Sequence, residues 1–207
     1  MERVFYMDCT LYLIAKSHGL SDDDFYARLE EAVRSGVSMV ELREDNISSL
    51  DFYKRAMRVR DICHSYSVPV IISDRVDIAL AAGCDGVMLG HDSIPVKRAR
   101  ELMGSTKIIG TNARTIPEAS SAQLDGADYF CIGPFFGDDF ITTHRVFAVT
   151  DSVRIPAVAY GDLNEENLDI IADIGIKGFC VSDLVMQSDN ITMTVWQLKR
   201  RAAEVIK

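Results

Sequence analysis

The sequence predicts a single-domain α/β protein, a closed (β/α)8 TIM barrel spanning residues 1–207, and three observations predict it. Short apolar runs rich in β-formers alternate with longer amphipathic segments from end to end, which implies parallel strands joined by helical crossovers. A phrase that closes a helix with glycine, turns and enters a buried strand occurs four times, each copy about two strand–helix units after the last. No linker, low-complexity tract or block of like charge divides the chain.

The strands are expected at Leu11–Ala15, Met39–Arg43, Pro69–Ser73, Gly86–Leu89, Lys107–Gly110, Tyr129–Ile132, Pro156–Tyr160 and Gly178–Val181. Each is short, apolar and flanked by turn-forming residues. Between them, apolar residues recur three and four apart over Phe25–Ser35, Leu50–Tyr66, Val96–Met103, Pro117–Asp125, Glu165–Ile174 and Thr192–Val205, the spacing of an amphipathic helix. Asp22, Asp23 and Asp24 suit a helix start, where carboxylates meet the positive end of the dipole. The repeated phrase is carried by Gly36, Gly83, Gly126 and Gly175. Four copies, two units each, make eight strands. An open doubly wound sheet is the alternative, but it usually has fewer strands and opens on a G-x-G-x-x-G turn absent from this chain. Gly133–Arg145 reads as a long loop after the sixth strand, on the face where such barrels carry their chemistry.

Composition narrows the function. A net charge of -9 argues against a nucleic-acid partner, which rewards a basic face. No apolar run reaches the roughly 20 residues that span a bilayer, so no membrane partner is expected. Met1-Glu2-Arg3-Val4 lacks the basic-then-apolar pattern of a signal peptide, which points to the cytoplasm. The five cysteines show no C-x-x-C spacing, so no disulfide or zinc role is expected, and Cys131 and Cys180 fall in apolar runs that read as buried strands.

At the C-terminal strand ends stand Glu41, Arg43, Glu44 and Asp45, then Ser73, Asp74 and Arg75, then His91, Asp92 and Ser93, then Thr111 and Asn112. Strand seven ends at Gly161-Asp162 and strand eight at Ser182-Asp183. Glu41-Leu42-Arg43-Glu44, Ile72-Ser73-Asp74-Arg75-Val76-Asp77, Asp85-Gly86-Val87-Met88-Leu89-Gly90, Gly126-Ala127-Asp128-Tyr129 and Gly133-Pro134-Phe135-Phe136 follow one another in that order. They are similar to the Q-L-R-E-K, I-N-D-R-x-D-x-A, D-G-V-H-L-G-Q, G-A-D-Y and G-P-x-F-x-T-x-T-K signatures of the thiamine phosphate synthase and TenI family. The opening Leu11-Tyr12-Leu13-Ile14 matches as well, so the resemblance covers almost the whole chain.

The resemblance implies a transferase of thiamine biosynthesis that joins a pyrimidine pyrophosphate to a thiazole phosphate and releases pyrophosphate with magnesium. It implies Arg43 as a pyrophosphate contact and Asp74 as a magnesium ligand; its second metal carboxylate falls at Ser93, where the neighbouring Asp92 is the candidate metal ligand if the loop shifts. Catalytic roles are expected for Arg43, Asp74, His91 and Arg145. Substrate contacts are expected from Arg43, Ser73, Asn112, Thr142, Thr143, Gly161 and Ser182. The partners implied are small thiazole and pyrimidine phosphates, and a homo-oligomer is compatible with this reading.

Several positions depart from the family pattern. The lysine of Q-L-R-E-K is Asp45, the asparagine of N-D is Ser73, and the second magnesium carboxylate falls at Ser93. Gly137-Asp138-Asp139 stands where T-x-T-K begins, with Thr142-Thr143-His144-Arg145 a few residues later. The second glycine after strand seven is Asp162. A reversed charge about 4 Å from a phosphate costs about 4 kcal/mol at an effective dielectric of 20. The site is therefore expected to be strongly altered. A non-catalytic or regulatory barrel, or an isomerase of a thiazole or other small substrate, stands as the alternative.

Individual residues have plainer readings too. Glu41 shares a strand face with Arg43, and an ion pair between them is expected. Asp74 either caps the next helix or binds metal. Asp162 and Asp183 are read as caps of the helices after strands seven and eight. His91 and Asp92 form an acid–base pair or decorate a loop. His18 and His64 are expected in solvent, and Trp196 is expected to pack.

Overall fold

In a computed structural model, residues 7–17 and 19–206 are described. Eight parallel strands close into one barrel in sequence order: β1 (Leu11–Ala15), β2 (Met39–Leu42), β3 (Val70–Ser73), β4 (Gly86–Leu89), β5 (Ile108–Asn112), β6 (Tyr129–Ile132), β7 (Ala157–Ala159) and β8 (Ile176–Val181). Because all eight run the same way, every C-terminal strand end lies at one mouth.

Among the described residues, eight α-helices surround the barrel: α1 (Asp22–Ser35), α2 (Ser49–Ser65), α3 (Val76–Ala81), α4 (Val96–Met103), α5 (Ile116–Asp125), α6 (Thr143–Asp151), α7 (Asp183–Met186) and α8 (Ile191–Val205). Helix α1 starts as its acids suggested: the Ser21 hydroxyl accepts from the Asp24 N–H, and three aspartates fill the first turn. Between β7 and β8 the structure differs from expectation. The helical spacing over Glu165–Ile174 resolves into turns and one 3-10 turn, Leu168–Ile171, which buries Leu168 and Ile171. Asn164 and Asn167 explain this, because their side-chain oxygens accept nearby backbone N–H groups in place of helical carbonyls.

The four repeated glycines all have positive φ; Gly36, Gly83 and Gly126 close α1, α3 and α5, whereas Gly175 ends the turns that follow Leu168–Ile171. Two residues after three of them stands a side chain that ties neighbouring strands together. Ser38 accepts the Leu11 N–H, Asp85 accepts the Val70 N–H and Asp128 accepts the Ile109 N–H. Each bond satisfies a donor at the start of the preceding strand. In the fourth copy that place is Lys177, which has no side-chain acceptor, and the β7–β8 register there is irregular.

Burial falls into two layers. Alternate strand residues face outward onto the helices and form the main core, with Leu13, Val40, Ile72, Val87 and Phe130 all fully buried. Each such side chain stabilises the fold by about 1.5–3 kcal/mol relative to exposure. The remaining alternates point inward, where Tyr12, Met39, Ile71, Met88, Tyr129, Cys131, Val158 and Cys180 fill the barrel. Gly110 makes room for one of them, since a Cβ there would lie 2.1 Å from the Tyr129 ring. All five cysteines are free and buried, and burial pushes the Cys9, Cys63 and Cys84 thiols up to about 12. Trp196 corrects an expectation: it lies on the outer face of α8, 54% exposed, with the Arg200 guanidinium 5.1 Å from its ring centre. His64 sits on the surface as expected but bonds Asp85 at 2.8 Å, while His18 lies outside the described residues. Among the described residues no helix is long and apolar enough to cross a membrane.

Candidate active site

Strand parity places the site. On β2, Met39 and Glu41 point into the barrel, and Arg43 follows at the mouth. Glu41 is 1% exposed, yet its carboxylate is fully engaged. Arg43 donates to its Oε1 through Nε at 3.0 Å and Nη2 at 2.7 Å, and Ser73 Oγ donates to the same oxygen at 2.7 Å. Tyr12 donates to Oε2 at 2.9 Å. The Tyr12 and Tyr129 hydroxyls lie 2.9 Å apart, and since the Tyr12 proton is committed to Glu41, Tyr129 is the donor. The expected Glu41–Arg43 pair is thus present, set in a polar column that descends from the mouth into the barrel.

Four donors around one carboxylate hold its negative charge in a buried place. That charge acts on its neighbours. Burial raises the Tyr12 and Tyr129 phenols well above the usual range, and the Glu41 charge raises both further. Burial alone would lower the Arg43 guanidinium, but the adjacent carboxylate more than offsets this and leaves it raised. Arg43 is therefore a permanent cation whose orientation is set from below.

Above this column lies a cleft of about 510 Å³ lined by Arg43, Asp45, Ser73, Asp74, Arg75, His91, Asp92 and Asn112. Six of the expected site residues meet here: Arg43, Ser73, Asp74, His91, Asp92 and Asn112. Asp74 does not cap α3. Arg75 holds the cap position without a side-chain bond, and Asp74 turns away with φ +60°. Aspartate tolerates this left-handed conformation because its short side chain bonds locally. Its Oδ1 accepts the Gly90 N–H at 2.7 Å and the Ser93 hydroxyl, pinning the end of β3 to the loop after β4. His91 and Asp92 are both exposed, and no hydrogen bond joins them.

The other expected residues lie elsewhere around the mouth. Thr142 and Thr143 border a separate apolar hollow with Phe135, Phe136, Phe140 and Ile141. The long loop ends sooner than expected, because α6 begins at Thr143 and carries His144 and Arg145 exposed in its first turn. Asp139 in this loop is held by Arg114 from the loop after β5, which explains why its carboxyl is lowered. Gly161 has φ +111°, and a Cβ there would lie 2.7 Å from Pro134, so the turn after β7 packs tightly on the loop after β6. Asp162 is not a helix cap, because no helix starts there; it is exposed, with φ +48°. Ser182 precedes α7 but donates its hydroxyl to the Ile14 carbonyl at 2.7 Å, tying β8 to β1. Asp183 is the first residue of α7.

Comparison with known proteins agrees with the motif reading. The family model for thiamine monophosphate synthase matches residues 11–185. The chain belongs to the thiamine monophosphate synthase family. It is 40% identical to a thiamine-phosphate synthase of Fusobacterium nucleatum over 189 residues, covering 88% of this chain and 92% of that one. A thiamine-phosphate synthase of Methanobrevibacter smithii is 38% identical over 190 residues, covering 89% and 90%. Among solved structures, thiamine phosphate pyrophosphorylase from Pyrococcus furiosus superposes with a TM-score of 0.87 at 28% identity, over 97% of this chain and 98% of that one.

Magnesium is the cofactor this family membership implies, and the donor set tests it. Among the described residues, no group of three His, Cys, Asp or Glu could hold a metal alone. Asp74 keeps Oδ2 without a partner among the described residues, and Asp92 lines the same cleft. Magnesium typically uses one or two carboxylates plus waters and substrate phosphates, so these residues fit an ion shared with a phosphate.

Tyr12, Tyr129 and Ser93 are the parts that sequence reasoning missed or undervalued. Strand alternation was the available signal, since Tyr12 and Tyr129 share inward parity with Glu41. Nothing in the spacing shows that Ser93 bonds Asp74, because that contact joins two loops.

Proposed function

We propose that the chain acts as a thiamine phosphate synthase, joining a pyrimidine pyrophosphate to a thiazole phosphate and releasing pyrophosphate. The joint placement of motif-matched Arg43 and Asp74 with the strand-end residues Ser73 and Asn112 on one cleft at the barrel mouth carries this reading. In the reaction a carbon–oxygen bond to the diphosphate breaks and a carbon–nitrogen bond to the thiazole forms. Negative charge gathers on the departing diphosphate, and a fixed cation aimed at it lowers the barrier.

Arg43 is that cation. Glu41 and Ser73 take its Nε and Nη2 contacts, and no described residue bonds Nη1. Asp74 and Asp92 would hold magnesium, which when bound supplies further charge neutralisation to the leaving group. Asn112 and Ser73 offer neutral polar groups to the pyrimidine side, and Gly161 with the backbone near Ser182 offers amides to the thiazole phosphate. Thr142 ends the loop after β6, and Thr143 and Arg145 lie in the first turn of α6, where Arg145 would add positive charge once substrate is in place. His91 lines the same cleft as Arg43 and would contact the substrate there. The ligands are small phosphorylated heterocycles, and assembly as a homo-oligomer forms part of the same proposal.

The test is direct. Purified protein incubated with pyrimidine pyrophosphate, thiazole phosphate and magnesium should form thiamine phosphate and pyrophosphate in equal amounts. Arg43→Met should lower turnover by at least about a hundredfold while remaining folded. Absence of product, together with no thermal shift from either substrate or from thiamine phosphate, would rule the synthase reading out.

A further inference from the structure

We propose that the buried Glu41 carboxylate makes diphosphate binding depend on a divalent cation, by compensating the Arg43 charge from beneath the cleft. The inference rests on the reading of this cleft as a diphosphate site. Both arginines that line it are already paired with carboxylates: Arg43 with Glu41, and Arg75 with Asp77 through two bonds of 2.8 and 2.6 Å. Asp74 and Asp92 line the same cleft and have no cationic partner among the described residues. The cleft therefore presents no net positive charge to an anion. A diphosphate is taken up when it brings the missing charge with it.

Glu41 differs from the other acids in being sealed from water. Exposed carboxylates such as Asp92 are screened by solvent and salt, whereas a charge at 1% exposure acts at lower effective dielectric. Glu41 also sits directly on the cation it opposes, 2.7 Å from Arg43 Nη2.

The hydrogen-bond pattern lets charge be separated from placement. In Glu41→Gln, the amide oxygen can occupy the Oε1 position and keep the bonds from Arg43 and Ser73. The amide nitrogen then donates to the Tyr12 oxygen, which leaves the Tyr12–Tyr129 pair one acceptor short, so one of the two hydroxyl protons goes without a partner. Arg43 keeps its orientation, and the negative charge beneath it is lost. Tyr12→Phe does the opposite: the charge stays and one of its donors goes.

Isothermal titration with inorganic pyrophosphate, in magnesium and in EDTA, reads the effect without turnover. The native protein should bind pyrophosphate with magnesium and at least about a hundredfold more weakly without it. Glu41→Gln should bind metal-free pyrophosphate about tenfold more tightly than the native protein, and the magnesium dependence should shrink by at least about fivefold. Tyr12→Phe should keep the native magnesium dependence. If Glu41→Gln does not yield folded protein by circular dichroism, Glu41→Met removes the same charge in a chain of similar length and should shift the dependence in the same direction.

An unchanged magnesium dependence in the charge-removing variant would overturn the proposal. So would an equal shrinkage in Tyr12→Phe, which would assign the effect to a loosened Arg43. Native binding that is indifferent to magnesium would also overturn it while leaving the synthase reading intact. Failure of the native protein to bind pyrophosphate even with magnesium would remove both.

Discussion

Tyr12→Phe also probes how the barrel tolerates a charge in its interior. Phenylalanine keeps the ring and deletes one hydroxyl, which donates to Glu41 Oε2 and accepts from Tyr129. A hydrogen bond to a charged acceptor contributes about 1.5–3 kcal/mol, and a buried hydroxyl left without a partner costs about 1–3 kcal/mol. Allowing for relaxation, the loss should be about 2–4 kcal/mol. For a domain of this size that lowers Tm by about 4–16 °C. Urea unfolding followed by circular dichroism measures it, with m expected to stay constant because the exposed surface does not change. A cycle with Tyr129→Phe makes the test sharper. Tyr129→Phe alone should cost only about 0.5–1.5 kcal/mol, since Tyr12 still holds Glu41. The double variant should be no less stable than Tyr12→Phe, because the hydroxyl orphaned by the first change is gone. A cost below about 0.5 kcal/mol for Tyr12→Phe, or simple addition of the two single costs, would refute the directed column.

Other perturbations test neighbouring features. Gly110→Ala forces a Cβ to 2.1 Å from the Tyr129 ring and should destabilise by about 1–3 kcal/mol in the same urea assay. Asp162→Gly removes an L-residue from a left-handed position and a negative charge from the mouth, so the variant should be at least as stable as the native protein. It should also bind thiazole phosphate more tightly by thermal shift, and weaker binding would show that the Asp162 side chain serves the ligand. Burial holds the Cys9, Cys63 and Cys84 thiols up at about 12, far from thiolate at pH 8. Ellman's reagent should accordingly label almost none of the five buried cysteines until denaturant is added.

Much of the fold was legible in the sequence because it is written in local patterns. Alternating apolar runs located all eight strands, and the β1, β4 and β6 limits match at both ends. The glycine phrase marked four turns into strands, three of them directly after an α-helix, because a left-handed residue at such a turn is a local requirement. Local pattern failed between β7 and β8, where Asn164 and Asn167 bind the backbone and only a short 3-10 turn forms. It failed again at Trp196, whose helical spacing did not show that α8 leaves it to solvent beside Arg200.

The site divides the same way. Motif order and strand-end position brought Arg43, Ser73, Asp74 and Asn112 to one cleft on sequence grounds, since parallel strands in a closed barrel must share a mouth. Strand parity likewise pairs Glu41 with Arg43, two positions apart on one face. What only the tertiary structure decided are the contacts between segments far apart in the chain. Tyr12, Glu41, Ser73 and Tyr129 become one hydrogen-bonded column only when barrel closure brings their strands' inner faces together. Asp74 turns from helix cap to loop pin because Gly90 and Ser93 offer it better-placed donors than α3 does. Local periodicity encodes which face a residue takes; which partner waits on that face depends on how the barrel closes.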